Sequence, residues 1–284
     1  MRPTDITRLI LLAAIWGSSF IFMRVLAPVL GAITTADSRL LIAGVAMLAY
    51  FAVIRFDLAW RENWKQYAII GVVNSSIPFS LYAFAAQHIP ASYSVIFNST
   101  SPLFGAVFSA IWLNDKLTLR KIAGLISGAV GVALVSKVGG AQVDAMFGWS
   151  LAACLAAPMC YGLAGIYTKK KASKIKPMAI SGGSQIMAGL ALLPLALLFP
   201  PTGEINSRIV IYTIILAVLC GSIAYVLYYR LVSDVGPTKA LSVTFLMPAF
   251  GMLWGVIFLH ESVTLPMIAG CLMIIAGTVL IARK

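Results

Sequence analysis

The groups in this 284-residue chain that can move protons, attack carbonyls or hold metals are few: nine carboxylates, two histidines and four cysteines. The carboxylates are Asp5, Asp37, Asp57, Glu62, Asp115, Asp144, Glu204, Asp234 and Glu261. Each falls in a loop or at the edge of a long apolar run, and none is read as lying mid-helix. Lys, Arg and His follow the same rule, with Arg24 and Arg39 read as lying near helix ends. His88 and His260 fall in turns, with no partner at the helical spacing a metalloprotease site needs. A serine hydrolase would need a buried base, and none is apparent. Cys154, Cys160, Cys220 and Cys271 lie inside apolar runs without paired spacing, so they read as small core residues. The pattern excludes an enzyme and calls for no metal and no cofactor. It also argues against a proton path through a membrane carboxylate and against a charged cargo needing a buried counter-charge.

Neutral polar and aromatic groups carry more of the signal. Asn74, Ser75, Ser76 and Ser80 surround Pro78, and Asn98, Ser99, Thr100 and Ser101 precede Pro102. A mid-helix proline frees a carbonyl. In a membrane that is tolerated where the region is buried in protein or lines water. Phe79 and Tyr82 share one helix face at i, i+3 spacing. Tyr225 and Tyr228 repeat that pair 146 positions later. Trp16 and Tyr161 are aromatics near the middle of two further runs. Facing inward, these rings wall an apolar cavity with a few amides from Asn74 and Asn98 and a hydroxyl from Ser101. Such a cavity suits a neutral or zwitterionic solute with a flat apolar part.

The elements that must position these residues are membrane helices. Apolar residues make up 61% of the chain and charged ones 11%, against about 25% charged in an ordinary soluble protein. A chain of this size has no interior able to hide so much apolar surface, so lipid must cover it. Ten apolar runs follow one another: 9–27, 36–54, 67–87, 91–113, 119–138, 147–168, 178–199, 209–229, 240–259 and 265–282. The first is read as a membrane helix and not as a cleaved leader. The net charge of +12 is spread between the runs and not gathered on one face, which excludes a nucleic-acid binder. Alternating the loops puts 17 Lys and Arg on one side and 4 on the other, so both termini are expected in the cytoplasm. No ring of charge or glycine-rich filter marks a pore.

The chain repeats itself. At an offset of 146, Pro102, Gly105, Leu113, Gly124, Gly131 and Leu134 match Pro248, Gly251, Leu259, Gly270, Gly277 and Leu280. Near the start of each half, Trp16-Gly17 lies over Tyr161-Gly162 at an offset of 145. The expected architecture is an all-α integral membrane fold, with ten transmembrane helices as two inverted five-helix repeats. The repeats are residues 1–138 and 147–284, together one transmembrane domain. Five crossings per repeat invert equivalent helices, a transporter arrangement with its site near the midplane. Gly124 and Gly128 form a GxxxG close-packing face.

With the Trp16-Gly17-Ser18-Ser19-Phe20 segment and the twice-seen Leu-x-Asp/Glu-x-Leu/Val-Thr-Leu then Ile-Ala-Gly pattern at 113–131 and 259–277, the chain resembles the drug/metabolite transporter superfamily. Within it the chain is similar to EamA-type ten-helix exporters, and more finely to YddG-type aromatic amino-acid exporters of bacterial inner membranes. The resemblance implies a basket of ten helices, a central cavity and efflux of amino acids or related metabolites. It implies a small-molecule partner, the lipid bilayer and no required oligomer. Relatives carrying nucleotide sugars or sugar phosphates would need a mid-membrane cation that is not expected here. A broad-specificity drug/metabolite efflux carrier is the alternative.

Overall fold

Gly31, at a φ of +77°, turns the chain so sharply that the first two long helices nearly touch end to end. A non-glycine residue is strained in that backbone region. Gly236, at φ +84°, makes a turn of similar backbone geometry late in the chain. The computed structural model describes residues 2–137, 145–240 and 242–282. The end of the fifth run at Val138, the acid Asp144 and the terminal cations Arg283 and Lys284 lie outside the described residues.

The helices are α1 (Pro3–Leu30), α2 (Ala32–Val53), α3 (Trp60–Gly71), α4 (Ile77–His88), α5 (Ala91–Asn98), α6 (Ser101–Leu113), α7 (Leu119–Lys137), α8 (Ala145–Lys171), α9 (Pro177–Leu198), α10 (Ser207–Ala217), α11 (Ala224–Val235), α12 (Pro237–Ala240), α13 (Val243–Leu259) and α14 (Leu265–Ala282). Among the described residues nine helical stretches are long and apolar enough to cross a membrane, and Val243–Leu259 is a shorter apolar helix beside them. Two stretches contain π-turns, at Val72–Ser76 between α3 and α4 and at Val218–Ile223 between α10 and α11. These starts are 146 residues apart, the offset of the sequence repeat. Asn114 and His260, also 146 apart, both end helices in the left-handed conformation, at φ +56° and +54°.

Several boundaries differ from the hydropathy reading. α2 begins at Ala32, four residues before the expected start, and so takes Asp37 and Arg39 inside the helix. A hydropathy window stops at charges, but the backbone does not. Pro102 does not interrupt a helix. It stands in the first turn of α6, where its missing N–H costs nothing, after a break at Ser99 and Thr100.

α7 and α14 pack closely through glycine. A Cβ on Gly131 would lie 2.5 Å from the Gly270 carbonyl oxygen, and one on Gly270 would lie 2.6 Å from that of Gly131. Gly124 and Gly277 approach each other in the same way, so Gly124 of the GxxxG packs inside the chain. Ser127 Oγ donates to the Met273 carbonyl across the seam at 2.9 Å. Gly131→Ala is therefore expected to lower the melting temperature in detergent, because overpacking costs about 1–3 kcal/mol. Gly148→Ala is the control, since its Cβ would meet nothing within 4 Å and helical Ala is favoured over Gly by about 1 kcal/mol. Equal melting shifts in the two variants would show that the seam is loose.

Candidate functional site

The aromatic residues singled out in the sequence meet in two groups. Trp16 of α1 lies 5.7 Å, centroid to centroid, from Tyr225 and 5.4 Å from Tyr228, both on α11. Tyr229 adds to this group, 6.3 Å from Tyr225 and 5.3 Å from Tyr228. The second group holds Tyr82 of α4, 6.5 Å from Tyr161 of α8 and 5.3 Å edge-to-face from Phe20 of α1. Ring pairs at these separations are worth about 0.5–1.5 kcal/mol each beyond their buried area. Tyr82 is held further, because its hydroxyl donates to Asn98 Oδ1 at 3.1 Å. Ser101 Oγ donates to the Asn98 carbonyl at 2.6 Å, so Asn98 and Ser101 sit at the break between α5 and α6. Asn74 stands apart. It lies half-buried in the π-turn, and among the described residues its side chain forms no hydrogen bond with the rest of the set.

Phe79 leads to what the sequence reading missed. It lies under Arg39, whose guanidinium carbon is 3.9 Å from the ring centroid. Arg39 is 5% exposed. It is close enough to Tyr161, Tyr225 and Cys220 to interact with them electrostatically. Tyr161 also packs on the small cluster of Ala36, Leu40 and Phe79. A cation thus stands between the two aromatic groups, about two helical turns into α2. This corrects the expectation that no charge lies mid-helix and that the cavity lacks a cation. Asp37 is also buried, and its Oδ1 has no hydrogen-bond partner. The usable signal was that extending the second run upstream through Ala32 and Ile33 encloses both charges. Phe20 and Tyr229 were missed because Phe20 lies a turn beyond Trp16 and Tyr229 directly follows Tyr228.

The two ends of the bundle differ. At one end the Glu261 carboxylate, just past α13, caps the start of α5. It accepts from Ala91 N at 2.6 Å, Ser92 N at 3.0 Å and Ser92 Oγ at 2.5 Å. A carboxylate at a helix N-terminus gains from both the free amides and the helix dipole. Close by, Arg24 donates to the Ala86 carbonyl at 2.5 Å and Gln87 to the Ala27 carbonyl at 2.9 Å, tying α1 to α4. A cleft of about 500 Å³ lined by Arg24, Pro28, Gln87, Pro90, Leu259 and Glu261 lies over these ties, apart from the rings.

At the opposite end the equivalent bonds are not formed among the described residues. The repeat partner of Glu261 is Asp115, which accepts from Ser109 in its own turn and, among the described residues, forms no bond with α12. That hydroxyl, with Lys169 and Lys121 nearby, holds the Asp115 carboxyl below the usual carboxylate range. A Cβ on Gly251 would press on Val95 at 2.7 Å, whereas one on its repeat partner Gly105 would meet nothing within 4 Å. α1 packs along α4, but α8 has no comparable contact with α11. This end keeps the Arg8–Asp234 ion pair at 2.5 Å, with both side chains about a third exposed. Exposed pairs of this kind are worth about 0–1 kcal/mol.

The model of the EamA-like transporter family matches twice, over residues 6–137 and 148–283. The chain belongs to that family. The transporter is 24% identical over 290 residues to the uncharacterized transporter YvbV of Bacillus subtilis, covering 100% of this chain and 94% of that protein. It is 23% identical over 282 residues to a probable terminal-alkyne amino-acid exporter of Streptantibioticus cattleyicolor, covering 97% and 92% of the two chains. A solved crystal structure shares its fold at a TM-score of 0.67 and 16% identity, covering 99% of this chain and 96% of the other. The protein is a multi-pass membrane transporter of small molecules and not an enzyme.

Proposed function

We propose that the transporter exports neutral, aromatic amino acids or related small metabolites across a bacterial inner membrane, with both termini in the cytoplasm. The observation that carries this reading is the meeting of Trp16, Tyr225 and Tyr228, and of Tyr82 and Tyr161, from both halves of the chain. Rings at 5–7 Å with hydroxyls and an amide among them suit a flat apolar side chain with a polar end. The resemblance to aromatic amino-acid exporters and the name of one relative, an amino-acid exporter, agree with that cargo. The 17-to-4 division of Lys and Arg supports the orientation.

Residues 1–138 and 147–284 act as two repeats that rock about the rings. The unequal ends support this motion. With the termini cytoplasmic, the Glu261 end is the outer one and is closed, while the Asp115 end is the inner one and is open. Outward opening releases Glu261 from Ala91 and Ser92, and Asp115 then accepts from the backbone N–H of Thr238, the counterpart of Ser92, since Pro237, the counterpart of Ala91, has no N–H to give.

Counterflow into proteoliposomes loaded with unlabelled tryptophan, phenylalanine or threonine tests the reading. Labelled tryptophan and phenylalanine are expected to accumulate without a pH gradient, and silence for all three in folded protein would end it. Tyr82→Ala is expected to lower transport more than it lowers folded yield. Tyr82→Phe, which removes only the bond to Asn98, costs about 1 kcal/mol of binding or less, up to fivefold in affinity. Parallel losses of transport and yield in Tyr82→Ala would make Tyr82 a packing residue.

A further inference from the structure

Arg39 presents five N–H donors to an interior that barely answers them. The residue is 5% exposed, and its guanidinium lies 3.9 Å over the Phe79 ring and reaches the Met23 sulfur at 3.8 Å. Among the described residues no carboxylate stands within 4.0 Å of it. Asp37 is two positions away on the same helix, a spacing that turns side chains to different faces. The groups that interact with Arg39 electrostatically are Tyr161, Tyr225 and Cys220, each neutral in its ordinary form. A thioether and a ring face satisfy a buried cation poorly, since both are weak partners beside a charged acceptor. Unpaired charges at this depth are costly and mark transport sites. The planar fork of a guanidinium matches a carboxylate with two parallel hydrogen bonds.

From these contacts we infer that Arg39 docks the carboxylate of the transported solute, so that the cargo class is carboxylates with an apolar or aromatic body, zwitterionic amino acids included. This rests on the ring assembly being the cargo site. The body of the solute lies against Trp16, Tyr82 and Tyr225, and the carboxylate reaches α2. The same cation repels organic amines that lack a carboxylate, which sets this site against cationic drugs.

Matched ligands test the inference: tryptophan, indole-3-propionate, which lacks the amine, and tryptamine, which lacks the carboxylate. The readouts are the melting midpoint of the detergent-purified protein and counterflow in proteoliposomes. Tryptophan and indole-3-propionate are expected to raise the midpoint and to exchange, and tryptamine to do neither. Arg39→Gln is expected to weaken the two carboxylates at least tenfold, and Arg39→Lys less. Tryptamine binding as well as tryptophan, or Arg39→Gln keeping wild-type affinity, would overturn the inference. If Arg39→Gln does not fold, the comparison of tryptophan with tryptamine on the wild type decides. Pyruvate and glucose 6-phosphate complete the panel. Binding of pyruvate that Arg39→Gln loses, without any indole ligand binding, upholds Arg39 and ends the aromatic reading. Response to glucose 6-phosphate alone, or to no carboxylate, overturns the docking role.

Discussion

Glu261→Ala is expected to cut counterflow by at least tenfold and to open the end of the bundle that is closed in this structure. The substitution leaves three donors without their acceptor: the amides of Ala91 and Ser92 and the Ser92 hydroxyl. Hydrogen bonds to a charged acceptor contribute about 1.5–3 kcal/mol each. Losing two of them shifts the balance between closed and open by about 3 kcal/mol or more, over a hundredfold in population. A single cysteine at Val95, in a chain stripped of its own four, reads the opening. Val95 is fully buried against Gly251, so an impermeant maleimide labels it slowly while the end is shut. Labelling is expected to speed up in Glu261→Ala and to stay slow in Asp115→Ala, which keeps the Glu261 cap and removes the acceptor of the proposed alternative one. Wild-type labelling and transport in Glu261→Ala would reduce the carboxylate to a local helix cap.

Trp16→Ala is expected to lower the affinity for aromatic cargo by about 5- to 150-fold. Trp16 touches two tyrosines of α11, and two ring pairs at about 0.5–1.5 kcal/mol each give about 1–3 kcal/mol. The side chain is only half-buried, so its loss leaves a smaller cavity than truncating a core residue would. The effect therefore falls on binding more than on stability. Trp16→Phe keeps one ring and recovers most of the affinity. Binding of labelled tryptophan measured beside the melting temperature separates the two. A melting loss with unchanged affinity would make Trp16 a wedge between α1 and α11.

Much of this arrangement was legible because lipid enforces a simple code. Long apolar stretches such as 9–27 and 265–282 can only be helices in a bilayer, and their order exposed the duplication. The ring residues were legible because Phe79 and Tyr82 recur as Tyr225 and Tyr228. Arg39 was not, because a hydropathy scale treats a charge as a boundary and cannot see that Phe79, Met23 and Tyr161 surround it. The π-turn at Val72–Ser76 was hidden for another reason. An extra residue in a helical turn is decided by how α3 and the π-turn pack on α9 while α4 packs on α8 and α1. The Glu261 cap joins residues about 170 positions apart in the chain, a separation that no spacing rule covers. His260, read as a turn histidine, is exposed and ends α13 in the left-handed conformation, one residue before Glu261.

The helices are of unequal length, and lipid must answer for it. Over the described residues α14 has 18 residues and α7 has 19, which at 1.5 Å per residue reach about 27–28 Å. α1 has 28 and α8 has 27, reaching about 40–42 Å. A hydrocarbon core of about 30 Å suits the short pair upright and forces the long pair to lean or protrude. In the proposed rocking of the halves that lean changes, so each state would present a different hydrophobic height to the surrounding acyl chains. On that proposal bilayer thickness acts as a thermodynamic partner of the cargo, thin membranes favouring the more tilted state and thick ones the more upright.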